Sequence, residues 1–328
     1  MMNILVVRLS ALGDVAMTIP AIYSCAKTWP AHTFHVLTTA FCAQLFIQPP
    51  KNVQVHTLQK PVSTWKMLRQ LRQMDVDVVA DLHNVLRSWV IDLYYTLKGK
   101  RVAILQKQRK ERHRILKRHQ ETATPFTQRY FDVFQHLGLA TTPQFTSLFP
   151  IPPAIPQGWE KTSEERWIGI APFARYRNKT YPLERMHEVV EQLAALPHTH
   201  VFLFGAKGQE AAQLQQWTAI GQQVTSLAGQ LPLAEELALM THLDVMVTMD
   251  SSNMHLASLV GTRVVSIWGS TTPACGFLGW RQHTDDALCR YLGCQPCTIA
   301  GSENCKKGNL VCMDIAPQEI VSHLKRML

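Results

Sequence analysis

The sequence predicts an α/β protein made of two parallel-sheet domains. Short strand-like apolar runs alternate with amphipathic helical stretches along the whole chain, the pattern of a parallel sheet with helices on both faces. At 328 residues the chain exceeds what one hydrophobic core usually spans. Thr141–Trp159, holding Pro143, Pro150, Pro152, Pro153 and Pro156 with little periodicity, reads as a linker. The expected division is 1–150, 160–316 and a closing amphipathic helix at 317–328.

In the first half, strands are expected at Ile4–Arg8, Phe34–Thr38, Val53–Leu58, Val76–Asp81 and Arg101–Ile104. Helices fit Val15–Thr28, Thr64–Gln73, Val85–Leu97 and Gln128–Leu137. The second half repeats the alternation, with strands at Trp167–Ala171, Val201–Gly205, Val224–Leu227, Val245–Thr248 and Val264–Trp268. Its helices fit Leu183–Leu196, Gln209–Ile220, Leu233–His242 and Met254–Val260. The halves resemble each other in architecture and not in sequence.

Apolar content of 46% with 17% charged residues belongs to a folded soluble protein. The opening residues lack a signal-peptide pattern and no stretch has the length of a membrane span, so a cytoplasmic location is expected. The net charge of +9 points to an anionic partner. Much of it falls between Lys98 and Arg118, where Glu111 is the only acid. That stretch suits a solubilising loop, or a docking surface for a phosphorylated or anionic-lipid substrate. A nucleic-acid patch is disfavoured, because no aromatic residues interleave with the cations as stacking platforms. Composition does not choose among these. Of eight cysteines, Cys289, Cys294, Cys297, Cys305 and Cys312 cluster late. Cys294, Cys297, Cys305 and Cys312 could complete four thiolates around a structural zinc, and reduced thiols in a surface loop are the alternative.

Three stretches could carry chemistry. Asp14 follows Gly13 where the first strand turns into a helix, a position for a helix cap or for a general base at a crevice mouth. Asp250-Ser251-Ser252-Asn253-Met254-His255 follows a strand and opens a helix, where backbone N–H groups and hydroxyls suit a phosphate. Arg175, Arg177 and Lys179 precede Pro182 in a loop and suit a diphosphate, or form a solvated basic turn. No G-x-G-x-x-G follows a strand and no G-x-x-x-x-G-K-[ST] occurs, which argues against dehydrogenase and P-loop readings.

Together these stretches resemble glycosyltransferase family 9, the heptosyltransferases of the lipopolysaccharide inner core. The resemblance rests on Ile4–Val15 with Thr18 and Pro20, on Asp81–Ser88, on Lys179-Thr180-Tyr181-Pro182 and on Asp250–Ala257, in the family's order. It implies a GT-B fold: two Rossmann-like domains with parallel sheets face a central cleft, and the last helix returns to the first domain. It implies inverting, metal-independent transfer, with no cofactor beyond an ADP-heptose-like nucleotide-sugar donor. By the same resemblance, the first domain takes a lipopolysaccharide-core or related glycolipid acceptor near Ser10, Gly13 and Arg87, with Asp14 as base. The second domain holds the donor through Arg175, Lys179, Glu210, Asp250, Ser251, Ser252 and His255, with Lys179 also serving catalysis. The implied protein is a monomer at the inner face of the cytoplasmic membrane with no nucleic-acid partner. Ser252 stands where the family has Gly, and Ala174 and Arg175 where it has small hydroxyl residues. A different nucleotide-sugar donor, or a GT-B nucleotide-sugar epimerase, is the alternative.

Overall fold

Ile4, Leu5, Val6 and Val7 are wholly buried in the first strand, as a parallel strand covered on both faces requires. The computed structural model describes residues 1–58, 63–118, 122–305 and 307–328. In chain order the first elements are β1 (Asn3–Val7), α1 (Leu12–Thr28), β2 (Thr33–Thr39), α2 (Ala40–Ala43), β3 (Val53–Leu58) and α3 (Thr64–Arg72). They are followed by β4 (Val78–Asp81), α4 (Leu86–Leu97), β5 (Arg101–Ile104), α5 (Arg109–Arg118) and α6 (Phe126–His136). The second series comprises β6 (Arg166–Ala171), α7 (Leu183–Ala194), β7 (Thr199–Leu203), α8 (Gln209–Trp217), β8 (Val224–Ser226) and α9 (Leu233–Met240). The chain finishes with β9 (Val245–Met249), α10 (Ser252–Leu259), β10 (Val264–Trp268), β11 (Ala287–Cys289) and α11 (Pro317–Lys325).

Two compact units result: Met1–Gln108 with Thr124–Leu148, and Arg109–Ala123 with Phe149–Leu328. The first holds a five-stranded parallel sheet ordered β3-β2-β1-β4-β5. Strand order therefore reverses between β1 and β4, the position at which doubly wound sheets open a crevice beyond their carboxyl ends. Helices α3 and α4 cover one face of this sheet, where Met67, Leu71, Ile91 and Tyr95 join Leu5, Val7 and Val79 in one core. The second unit holds a six-stranded parallel sheet ordered β11-β10-β9-β6-β7-β8, which reverses between β6 and β9.

The division departs from a single break at the Pro-rich stretch. Residues 109–123 group with the second unit: α5 packs on the 3-10 turn Pro273–Cys275, and Ala123 N donates to Ala274 O at 2.7 Å. The basic stretch read as a possible loop is thus helical over Arg109–Arg118, anchored by the fully buried Ile115. Part of the expected linker is packed structure, since the buried Ser24 Oγ accepts Gln144 N at 3.0 Å and Phe145 N at 3.1 Å. α11 packs on α7 within the second unit, because Ile320, Val321 and Leu324 complete a core with Tyr181, Met186 and Val189. Arg290 and Glu319 pair in bidentate fashion at 2.7 and 3.0 Å, and His323 meets Asp286 at 3.0 Å, holding it there. Among the described residues, no helix is long and apolar enough to cross a membrane.

Candidate active site

In the first unit the residues beyond β1 and β4 form one polar cluster. Arg8, the residue after β1, is buried; its Nη1 donates to Leu82 O at 2.7 Å and its Nη2 meets Asp14 Oδ2 at 2.8 Å. Burial opposes its charge, but Tyr130, Asp14 and Asp81 beside it outweigh burial and keep the guanidinium protonated. Asp14 is the third residue of α1, and its Oδ2 lies 3.4 Å from Ala11 N, the long edge of a capping contact. Arg8 rather than the cap therefore fixes the carboxylate, whose side chain remains about one-third exposed. Ser10 and Gly13 are half-buried in the same turn, and Arg87 is exposed at the start of α4.

Asp81 ends β4 fully buried and builds the turn that follows. It accepts His83 N at 2.8 Å, Asn84 N at 3.0 Å and Ser88 Oγ at 2.7 Å. Asn84 takes the left-handed conformation, φ +52°, which its short amide tolerates. The turn presents His83, whose pKa is lowered to about 4 by burial and then by Arg8, with Lys107 and Arg87 adding to the effect. A neutral imidazole thus sits among cations next to Asp14. Asp92, one turn beyond Ser88, is pushed up to about 8 by burial and by the charge of Asp81. Among the described residues no donor reaches its carboxyl oxygens, so burial and the neighbouring Asp81 charge keep Asp92 protonated.

In the second unit the predicted residues converge beyond β6 and β9. Lys179 closes the 3-10 turn Arg177–Lys179, and its Nζ meets Asp250 Oδ2 at 2.8 Å with both side chains largely buried. Thr271 Oγ1 donates to the same oxygen at 2.6 Å. Asn178 braces the loop: its side chain pairs with Ser302 at 2.7 and 2.9 Å, and its carbonyl accepts Ser270 N at 2.9 Å. Two glycines allow this packing. A Cβ on Gly269 would stand 2.4 Å from Asn178 O, and one on Gly301 (φ +99°) 2.5 Å from Lys179 Cδ. Ser251 occupies the N-cap position of α10 without making a side-chain cap, and its Oγ is buried with no hydrogen-bond partner among the described residues, as is that of Ser270. Ser252 is half-buried and His255 buried in the first turns of that helix.

Two predicted residues are less committed to this cluster. Arg175 is exposed in the loop after β6, its guanidinium 5.3 Å from the Tyr176 ring centroid. Glu210 Oε2 accepts Ala206 N at 2.7 Å, closing the β7–α8 turn. Sequence reasoning missed His83, Ser270 and Thr271; the signal for the last two was a small hydroxyl run, Ser270-Thr271-Thr272, directly after a buried strand. Of the four late cysteines, Cys312 lies near enough to Cys297, Cys305 and Cys294 for their charges to raise it to about 11, after burial. Cys305 is instead lowered by backbone N–H groups, Leu310 foremost. Among the described residues, no group of three or more His, Cys, Asp or Glu side chains is arranged to hold a metal ion.

The family model for glycosyltransferase family 9 (heptosyltransferase) matches residues 64–307. Lipopolysaccharide heptosyltransferase 3 of Escherichia coli is 23% identical over 306 residues, covering 86% of each chain. The structure of E. coli ADP-heptose lps heptosyltransferase II superimposes with a TM-score of 0.68 at 20% identity, covering 99% of this chain and 98% of that one. An E. coli heptosyltransferase solved with ADP does so with a TM-score of 0.71 at 14% identity, covering 100% of both. Both structures share the GT-B fold of two parallel sheets seen here. With its motifs lying at the reversal points of those sheets, the chain belongs to glycosyltransferase family 9, the heptosyltransferase family.

Proposed function

We propose that the protein transfers a heptose-like sugar from an ADP-activated donor to a lipopolysaccharide inner-core or related glycolipid acceptor, with inversion at the anomeric carbon. The observation that carries this reading is the Lys179–Asp250 pair at the reversal point of the second sheet, beside an α10 start whose buried Ser251 hydroxyl has no partner among the described residues. A diphosphate supplies the acceptors these groups lack: it takes hydrogen bonds from the first amides of α10 and from Ser251, and charge from Lys179. Arg175 at the rim, and Ser252 and His255 in the helix, extend the same donor site. Glu210 has its second carboxylate oxygen for a sugar or ribose hydroxyl.

On the first unit, Asp14 accepts the proton of the acceptor hydroxyl as that oxygen attacks the anomeric carbon from the face opposite the nucleotide. The bond from that carbon to the β-phosphate oxygen breaks, and ADP departs with its new charge met by Lys179 and the α10 amides. That positive field performs the work a divalent cation does elsewhere, so the transfer proceeds without one. Arg8 holds Asp14 in place, while Arg87, Lys107 and neutral His83 offer cationic and hydrogen-bonding contacts for a phosphorylated, acidic acceptor.

Heptosyltransferase relatives support ADP-heptose as donor, whereas Ser252 in place of the family's Gly favours a second reading in which another nucleotide-sugar is used. A mass-spectrometric screen of the purified chain against ADP-heptose and other sugar nucleotides, with lipopolysaccharide-core acceptors and with EDTA present, tests both. Product from ADP-heptose alone supports the first; product from a different donor supports the second. Interconversion of a sugar nucleotide without acceptor would make the protein an epimerase.

A further inference from the structure

Helix α4 carries apolar residues on two opposite faces, and only one of them is used by the core. Ile91 and Tyr95 point into the first unit. Leu86, Trp89, Leu93 and Leu97 are 74%, 45%, 60% and 79% exposed. At 3.6 residues per turn these four fall within an arc of about 80° and run the length of the helix, about 16 Å. Three leucines and a tryptophan in one exposed stripe over successive turns form a contiguous apolar patch, not scattered surface residues.

The neighbouring α3 presents a matching face. Tyr95 Oη donates to Leu71 O at 3.2 Å, which ties the two helices side by side over the same sheet. The outer side of α3 shows Trp65, 69% exposed, with Arg69 and Arg72, and these line a cleft of about 330 Å³ together with Leu68. Arg72 lies 5.6 Å from the Trp65 ring centroid, and Lys98 at the end of α4 lies 4.7 Å from that of Tyr94, so the cations extend along aromatic rings. The two helices contain a single acid between them, Asp92, and it is buried.

We propose that the α3–α4 face of the first unit docks on a membrane carrying anionic lipid. The leucines and two tryptophans enter the boundary between headgroups and acyl chains, and Lys66, Arg69, Arg72, Arg87 and Lys98 meet lipid phosphates. Charge decides for this occupant: a protein partner or second copy would have to bring acids of its own, whereas an anionic bilayer presents them everywhere. The inference deepens the glycolipid-acceptor reading and rests on it for its purpose, since α4 begins at the Asp81–Ser88 turn next to Asp14 and so sets the acceptor cluster beside the lipid surface.

Co-sedimentation of the full chain with vesicles of phosphatidylcholine, with and without phosphatidylglycerol, tests it. The expected result is binding that requires phosphatidylglycerol, weakens with salt, and falls about tenfold or more in L93Q/L97Q, with unchanged thermal unfolding because both side chains are already in water. Equal binding by parent and variant, or no preference for phosphatidylglycerol, overturns the proposal. So does a dimer in sedimentation velocity that L93Q/L97Q abolishes, which would give the face to a second copy. The two readings fail separately: transfer without vesicle binding removes the docking face, and vesicle binding without transfer to any glycolipid removes the acceptor.

Discussion

Arg8 and Asp250 show how single charges are placed before any substrate arrives. Arg8 gives Asp14 one fixed orientation, so replacing the carboxylate by its amide should alter chemistry and little else. Asp14→Asn is expected to lower kcat by about 10²–10⁴-fold while ADP affinity stays within twofold or so, measured by initial rates and titration calorimetry. Turnover near that of the parent would take the base role from Asp14. Lys179 differs, because it also neutralises a buried carboxylate. Lys179→Met strands Asp250 and should cost about 3–5 kcal/mol in denaturant unfolding as well as nucleotide affinity. The double variant Lys179→Met/Asp250→Asn removes both charges and should recover most of the stability but not the affinity. Recovery of both would make the pair purely structural.

At the scale of elements, the turn between β4 and α4 is held by Asp81, with the buried, protonated Asp92 beside it. Asp92 titrates at about 8 in the folded protein against about 4 in an unfolded chain. Between those values the folded state holds a proton that the unfolded state has released, so stability from this pair is complete below about pH 4 and is lost as pH rises through about 8. Asp92→Asn keeps a donor toward Asp81 and does not titrate. Its melting temperature is expected to exceed that of the parent at about pH 9 and to depend less on pH from about 6 to 9. Parallel melting curves would show that Asp92 is not protonated in the folded protein near neutral pH. The Asp81–Asp92 pair was hidden in the sequence because eleven positions separate partners that only the turn and one helical turn bring together. The strands were legible for the opposite reason: doubly covered parallel strands read as unbroken apolar runs, as in Ile4–Val7 and Val245–Val247. Helix α5 was not, because Arg-Lys-Glu-Arg-His-Arg-Ile-Leu-Lys-Arg offers one buried anchor, Ile115, and no apolar periodicity. Strand β11 is three residues long and carries no pattern. The candidate site was readable where it followed strand ends, and unreadable where it depended on His83 or Thr271 being turned inward by their neighbours.

For the whole molecule, the partition of the chain matters more than the number of its parts. The second unit includes 109–123 in addition to everything from Phe149 onward. A fragment 149–328 therefore lacks α5 and its contacts with the turn at Pro273–Cys275. That fragment is expected to melt at lower temperature than the same fragment with 109–123 fused to its amino terminus, by circular dichroism. Equal melting would show the segment to be a passenger on that unit.

During synthesis, Ile115 leaves the ribosome more than 150 residues before Pro273–Cys275 exists to receive its helix. The second unit cannot assemble in the order in which it is translated. An early segment has to wait, cationic and soluble, for the late part of the chain that gives it a place, and its many charges are what let it wait without sticking elsewhere.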